Sequence, residues 1–141
     1  MERWGTVADE AVSVLVVDDQ LPFRMAAKTV VRVTPGFEVI GEAESGEDAV
    51  AQVDALQPRL VLMDINMPGI NGIEAAHRIH EAHPDVCVVL LSTYPRDDLP
   101  SDALTSGAAA YINKDEFGPQ ILRSTWDGSG PNGDAPQAGQ I

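Results

Sequence analysis

Apolar runs of strand length recur at residues 12–17, 38–43, 60–63, 86–91 and 109–112, and the segments after them return their apolar residues at helical spacing. In the first such segment, 21–33, Pro22 falls in the first turn, where a missing N–H does no harm, and Phe23, Ala26, Ala27 and Val30 share one side. Residues 45–56 open on Ser45-Gly46-Glu47-Asp48, a capping-box pattern with acids at the positive end of the helix dipole. Residues 71–82 bring Ile73, Ala76 and Ile79 together behind Asn71, a good N-cap. A weaker helix is predicted over 97–106, with Pro100 tolerable only in its first turn and Gly107 at its end, and a last one over 117–126. Five strands, each followed by a helix, predict an α/β fold: a five-stranded parallel sheet, doubly wound, with helices on both faces. Residues 1–11 precede the first strand as an extension. From 128 to 141 there are four Gly and two Pro, the composition of a linker or tail, which leaves residues 12–127 as one domain.

Chemistry gathers at the ends of these strands. Asp18 and Asp19 close the first run and Asp64 closes the third, and in an open parallel sheet ligands sit in the crevice outside the carboxyl ends of the strands. Three carboxylates facing one another would raise one another's pKa unless a cation sat among them, and all-oxygen ligation favours Mg²⁺ or a similar hard ion. Taken alone, Asp18 and Asp19 would serve as well as a solvated turn or as the N-cap of the helix that starts near Leu21. Ser92 directly follows the fourth run and Lys114 follows Tyr111-Ile112-Asn113 at the end of the fifth, completing a magnesium-dependent phosphoryl-transfer or phosphate-sensing pattern.

Composition narrows the picture. The length of 141 residues with 44% hydrophobic and 22% charged suits one ordinary globular domain. A formal net charge of −13 with 9 unclustered basic residues argues against a nucleic-acid surface. The opening ten residues lack the apolar stretch of a signal peptide and no run reaches the length of a membrane span, so no membrane association and a cytoplasmic location are expected. The single Cys87, inside an apolar run, reads as a buried structural thiol. His77, His80 and His83 recur every three residues, but that step drifts around a helix, and they read as a solvated face rather than a metal site.

The motifs Val16-Val17-Asp18-Asp19, Leu62-Met63-Asp64-Ile65-Asn66-Met67-Pro68-Gly69-Ile70-Asn71-Gly72, Leu91-Ser92-Thr93 and Gly107-Ala108-Ala109-Ala110-Tyr111-Ile112-Asn113-Lys114 come in this order on the ends of these elements. Over residues 13–126 the sequence resembles the receiver domain of two-component response regulators, with a flavodoxin-like (βα)5 sheet, and is most similar to receivers that precede a LuxR-type helix-turn-helix output domain. The resemblance implies that Asp64 accepts a phosphoryl group from a phosphohistidine on a sensor histidine kinase. It implies Mg²⁺ held by Asp18, Asp19, Asp64 and the backbone carbonyl of Asn66, with Lys114 and Ser92 on the phosphoryl oxygens. It also implies a readout in which Ser92 moves toward the phosphate and Tyr111 turns inward, switching the surface of the fourth helix, fifth strand and fifth helix, residues 97–126 here, toward homodimerisation or docking. Enzymatic activity would be limited to self-phosphotransfer and autodephosphorylation.

Departures from the family pattern are few. Asp115 stands where many receivers have proline after the switch lysine, as in the helix-turn-helix subgroup. Thr93 borders the access path, and Asn66 and Tyr94 stand where hydrolysis of the phosphoryl group is tuned, which predicts slow dephosphorylation. Pro95, Pro100 and Gly118-Pro119 are unusual beside helices of the output surface. No helix-turn-helix pattern follows Gly128, which fits a stand-alone receiver or one part of a longer transcription regulator. Two other readings are a phosphate-independent interaction module of the same fold and a Mg²⁺ phosphohydrolase. The latter would want a second acid two residues after the nucleophile, where Asn66 stands.

Overall fold

A computed structural model of the chain describes residues 11–93 and 100–129. Its elements are β1 (Val12–Val17), α1 (Leu21–Val33), β2 (Phe37–Ala43), α2 (Gly46–Leu56), β3 (Leu60–Asp64), α3 (Gly72–Ala82), β4 (Cys87–Ser92), a 3-10 turn (Ser101–Thr105), β5 (Ala110–Asn113), a second 3-10 turn (Lys114–Glu116) and α4 (Pro119–Ser129). The strands form one sheet in the order β2-β1-β3-β4-β5, all pairs parallel. The parallel five-stranded α/β architecture expected from the alternation is therefore the one observed.

Side-chain parity divides the core into two layers. Leu15 and Val17 of β1, Val61 and Met63 of β3, Val88 and Leu90 of β4 and Tyr111 of β5 point to one face, where Ala49 and Val53 of α2 and Ile73, Ala76 and Ile79 of α3 cover them. Val14 and Val16, Leu60 and Leu62, Val89 and Leu91, and Ile112 point to the other, covered by Ala27 and Val31 of α1 and Leu122 of α4. Strands buried on both faces explain why these segments read as unbroken apolar runs rather than alternating ones.

The helices start where the caps predict. The Ser45 hydroxyl accepts the Asp48 N–H at 3.0 Å, and the Asn71 side-chain oxygen Oδ1 accepts that of Glu74 at 2.9 Å, so the two are N-caps and the helices begin one residue later. Trp126 of α4 meets the Phe37 ring edge-on at 6.3 Å, with the Arg59 guanidinium 5.5 Å from its own ring. This contact fastens the last helix to the amino edge of the sheet, away from the strand ends that carry the acids.

Three expectations change. On α1 the buried residues are Arg24, Ala27 and Val31, while Ala26 is exposed. The helix expected over 97–106 is a 3-10 turn in its described part. Pro100 is extended (φ −59, ψ 142) and Gly107 takes φ +92, so the few residues between them cannot build α-helical turns. A Cβ at Gly107 would also lie 2.5 Å from the Cγ of His80, which packs against it. Finally, α4 starts at Pro119 and continues through Gly128 and Ser129, which composition had placed with the tail. The extension with Trp4, the segment with Tyr94, Pro95 and Asp97, and the tail past Ser129 lie outside the described residues.

Candidate functional site

Register brings the acids together. β1 lies between β2 and β3, so the chain leaves β1 toward one side of the sheet and returns on the other, which opens a crevice at its carboxyl end. Val17 pairs with Met63, and the next residue on each strand is a carboxylate, Asp18 and Asp64. Neighbouring strands lie about 4.8 Å apart, so the shared register alone sets these groups side by side. By parity both belong to the face covered by α1 and α4. Asp18, Asp19 and Asp64 each offer an oxygen within 4.8 Å of the others, and this is the one such grouping of potential metal ligands among the described residues.

Lys114 follows β5 with the same parity and enters the cluster. Its Nζ donates to Asp18 Oδ2 at 2.8 Å and lies 3.1 Å from Asp64 Oδ1, bridging the two carboxylates rather than pairing with Asp64 alone. The ammonium also sits 4.4 Å from the centroid of the Phe23 ring, which in turn packs against Phe117 at 6.4 Å. Burial works against the charge of Lys114, but the hydrogen bonds and charges of Asp18 and Asp64 outweigh it, and its pKa is raised.

Asp64 is 5% exposed, and burial, reinforced by the charge of Asp18, pushes its pKa up to about 6 against the pull of Lys114. One buried oxygen of Asp19, Oδ1, has no hydrogen-bond partner among the described residues. A buried carboxylate oxygen without a donor, in an all-oxygen cluster carrying three acids against one lysine, is what a hard divalent cation would satisfy.

The loop after β3 is held close to the site. Glycine is required at position 72 because its Cα approaches the end of β3: a Cβ there would lie 2.1 Å from the backbone oxygen of Asp64. The Gly72 N–H also donates to the Ile65 carbonyl at 2.8 Å. Across the loop, the Glu47 carboxylate accepts the Ile70 N–H at 3.1 Å, tying it to the first turn of α2. Asn66 is exposed on this loop.

Ser92 is buried at the end of β4, and its parity matches that of Tyr111 on β5, in the layer under α2 and α3. Tyr111 is buried in that layer. Its hydroxyl has no partner among the described residues, and burial, with the charge of Asp102, raises its pKa to about 12. His77 faces Glu81 at 3.4 Å and His83 meets Asp54 at 2.6 Å, so these two histidines engage acids on the helix surfaces and do not join the strand-end cluster. Burial pushes the Cys87 thiol up to about 11, in keeping with a structural residue.

The response regulator receiver domain model matches residues 14–125, most of the chain. The chain belongs to the response regulator receiver family. This receiver is 36% identical over 109 residues to the transcriptional regulatory protein DegU of Brevibacillus brevis, covering 77% of this chain and 46% of that protein. It is 40% identical over 103 residues to the response regulator GacA of Pseudomonas protegens, covering 73% and 48%. Among solved structures, the signal receiver domain of NarL from Mycobacterium tuberculosis superposes with a TM-score of 0.77 at 30% identity, covering 84% of this receiver and 95% of that chain. The response regulator domain of Thermotoga maritima CheB does so with a TM-score of 0.72 at 33% identity, covering 82% and 93%. The receiver spans about half the length of the curated relatives it matches. No helix among the described residues is long and apolar enough to cross a membrane.

Two site residues escape a reading of the sequence. Arg24 and Phe23 reach the acid cluster from the first turn of α1. A signal for Arg24 exists in the spacing: it stands three and seven residues before Ala27 and Val31, on the stripe that faces the sheet.

Proposed function

We propose that this receiver accepts a phosphoryl group on Asp64 from a phosphohistidine of a sensor histidine kinase, in a magnesium-dependent reaction. The observation that carries the reading is the Lys114 ammonium bridging Asp18 and Asp64 beside the unpartnered oxygen of Asp19. An oxygen of the Asp64 carboxylate attacks phosphorus, the P–N bond to the kinase imidazole breaks with its electron pair returning to nitrogen, and an acyl phosphate forms. The nucleophile must be ionised, and a pKa of about 6 leaves it so at neutral pH. Asp18, Asp19, Asp64 and the backbone carbonyl of Asn66 would hold the Mg²⁺, which when bound supplies positive charge against the phosphoryl oxygens. Lys114, freed from Asp64 as the carboxylate becomes an ester-like group, turns its charge to the new phosphate. The Ser92 hydroxyl hydrogen-bonds a phosphate oxygen, and Ser92 with Tyr111 passes the change to the surface that includes Ser101–Thr105, β5 and α4.

That surface controls a partner, in a phosphorylation-dependent homodimer or by docking, and transcription where the receiver works within a longer regulator like its relatives. The chemistry is confined to self-phosphotransfer and slow autodephosphorylation. The receiver itself binds neither nucleic acid nor membrane and works in the cytoplasm. Intact mass after incubation with acetyl phosphate and Mg²⁺ tests the core of this reading. A single phosphoryl adduct that disappears with EDTA supports it; no adduct, or one indifferent to EDTA, overturns it.

A further inference from the structure

Arg24 is 8% exposed, a charged residue on the buried stripe of α1. Its guanidinium is committed on two sides. Nη1 donates to the backbone carbonyl of Asp18 at 2.8 Å, and Nε donates to Glu42 Oε1 on β2 at 2.7 Å. Nη2 lies 3.9 Å from Glu44 Oε2. Lys28, one turn further along α1, holds the other oxygen of Glu42 at 2.7 Å but has no hydrogen bond to Asp18 or Asp19. Elsewhere Asp18 is held by its N–H on the Ala43 carbonyl at 3.1 Å, by the Gln20 N–H on its Oδ1 at 2.8 Å and by Lys114 on its Oδ2 at 2.8 Å, none of which engages its backbone carbonyl. The peptide joining the two metal-facing acids is therefore oriented by Arg24, with β2 as the anchor.

We propose that Arg24 is a positioning residue for the acid cluster: it clamps the turn after β1 to β2, so that Asp18 and Asp19 present their carboxylates to the cation in one fixed geometry. The inference rests on reading that cluster as the Mg²⁺ site. A planar guanidinium can engage the carbonyl and the carboxylate at once, which a lysine ammonium on a flexible stem does not reproduce. The clamp also carries a distinctive sign. By charge alone, a second cation beside the site repels Mg²⁺, so removing it would tighten binding. As a clamp, its removal loosens the site and weakens binding.

Calorimetric titration of the full chain with MgCl2 separates these cases. The clamp predicts that Arg24→Met weakens Mg²⁺ binding about fivefold to tenfold, the size expected from one lost buried hydrogen bond. Lys28→Met removes the same charge from Glu42 without touching the acid turn, and stays within about twofold of the parent on the same reasoning. Arg24→Lys restores the charge but not the fork, and remains weak; it also serves if the methionine variant does not fold by circular dichroism. Unchanged or tighter binding in Arg24→Met, or full recovery in Arg24→Lys, overturns the clamp. A parent protein that takes up no Mg²⁺ overturns the proposed function itself, a result visible in a separate arm of the same experiment.

Discussion

Asp64→Asn should make the ligand-free protein more stable at pH 7. The folded chain holds the Asp64 carboxyl at about 6 against an ordinary value of 3.8, because the side chain is buried and faces Asp18. At roughly 1.4 kcal/mol per pH unit, that difference makes the ionised form about 3 kcal/mol harder to hold in the folded chain than in the unfolded one. The folded state binds the extra proton, so the contribution of Asp64 to stability is greatest below the unfolded value of 3.8, declines as pH rises through about 6, and is flat above it. Asparagine mimics the neutral acid in nearly the same volume and should recover most of the difference. Urea denaturation at pH 7 without Mg²⁺ should show the variant's midpoint raised by about 1–2 M for a domain of this size. At pH 4 the two proteins should nearly coincide, and added Mg²⁺ should narrow the gap at pH 7 by stabilising the parent. A variant no more stable than the parent at pH 7 would refute the claim that this carboxylate is held in an electrostatically unfavourable place.

Gly72→Ala, with its Cβ 2.1 Å from the Asp64 carbonyl oxygen, should force the α3 start away from β3. A loss of about 3 kcal/mol in thermal or chemical unfolding is expected, and a change under 1 kcal/mol would mean that this approach is easily relaxed. Phe23→Leu keeps the apolar bulk but removes the ring 4.4 Å from the Lys114 ammonium. The rate of adduct formation from acetyl phosphate should fall about threefold to fivefold, in line with one partly buried cation–π contact, and an unchanged rate would show that the two carboxylates hold Lys114 unaided. Adduct formation should also fall as pH drops through about 6, when Asp64 takes up its proton, and a rate flat from pH 7 to pH 5 would contradict that assignment.

Much of the fold was legible because fully buried parallel strands write themselves as apolar runs and helix starts carry caps. Asp18, Asp19 and Asp64 stood out since each ends such a run, and the pairing of Val17 with Met63 then does the rest. The segment around Pro100 was not legible as a 3-10 turn, because its apolar spacing fits a helix and only the extended proline and the positive φ of Gly107 decide otherwise. Arg24 was hidden for a related reason. A charged residue is read as solvent-facing unless its place on the stripe is checked, and its partner Glu42 sits in a strand whose neighbours are apolar. That Lys114 bridges two acids, and rests on Phe23, depends on distances between elements far apart in the chain.

Asp64, among three neighbouring carboxylates, is the acceptor proposed for the phosphoryl group. Borohydride reduction of the acetyl-phosphate-treated protein, which converts an acyl-phosphorylated aspartate to homoserine, followed by peptide mass mapping, locates the acceptor directly. Homoserine is expected at position 64 alone, and only when Mg²⁺ was present. Homoserine at Asp18 or Asp19, or none anywhere, would contradict it.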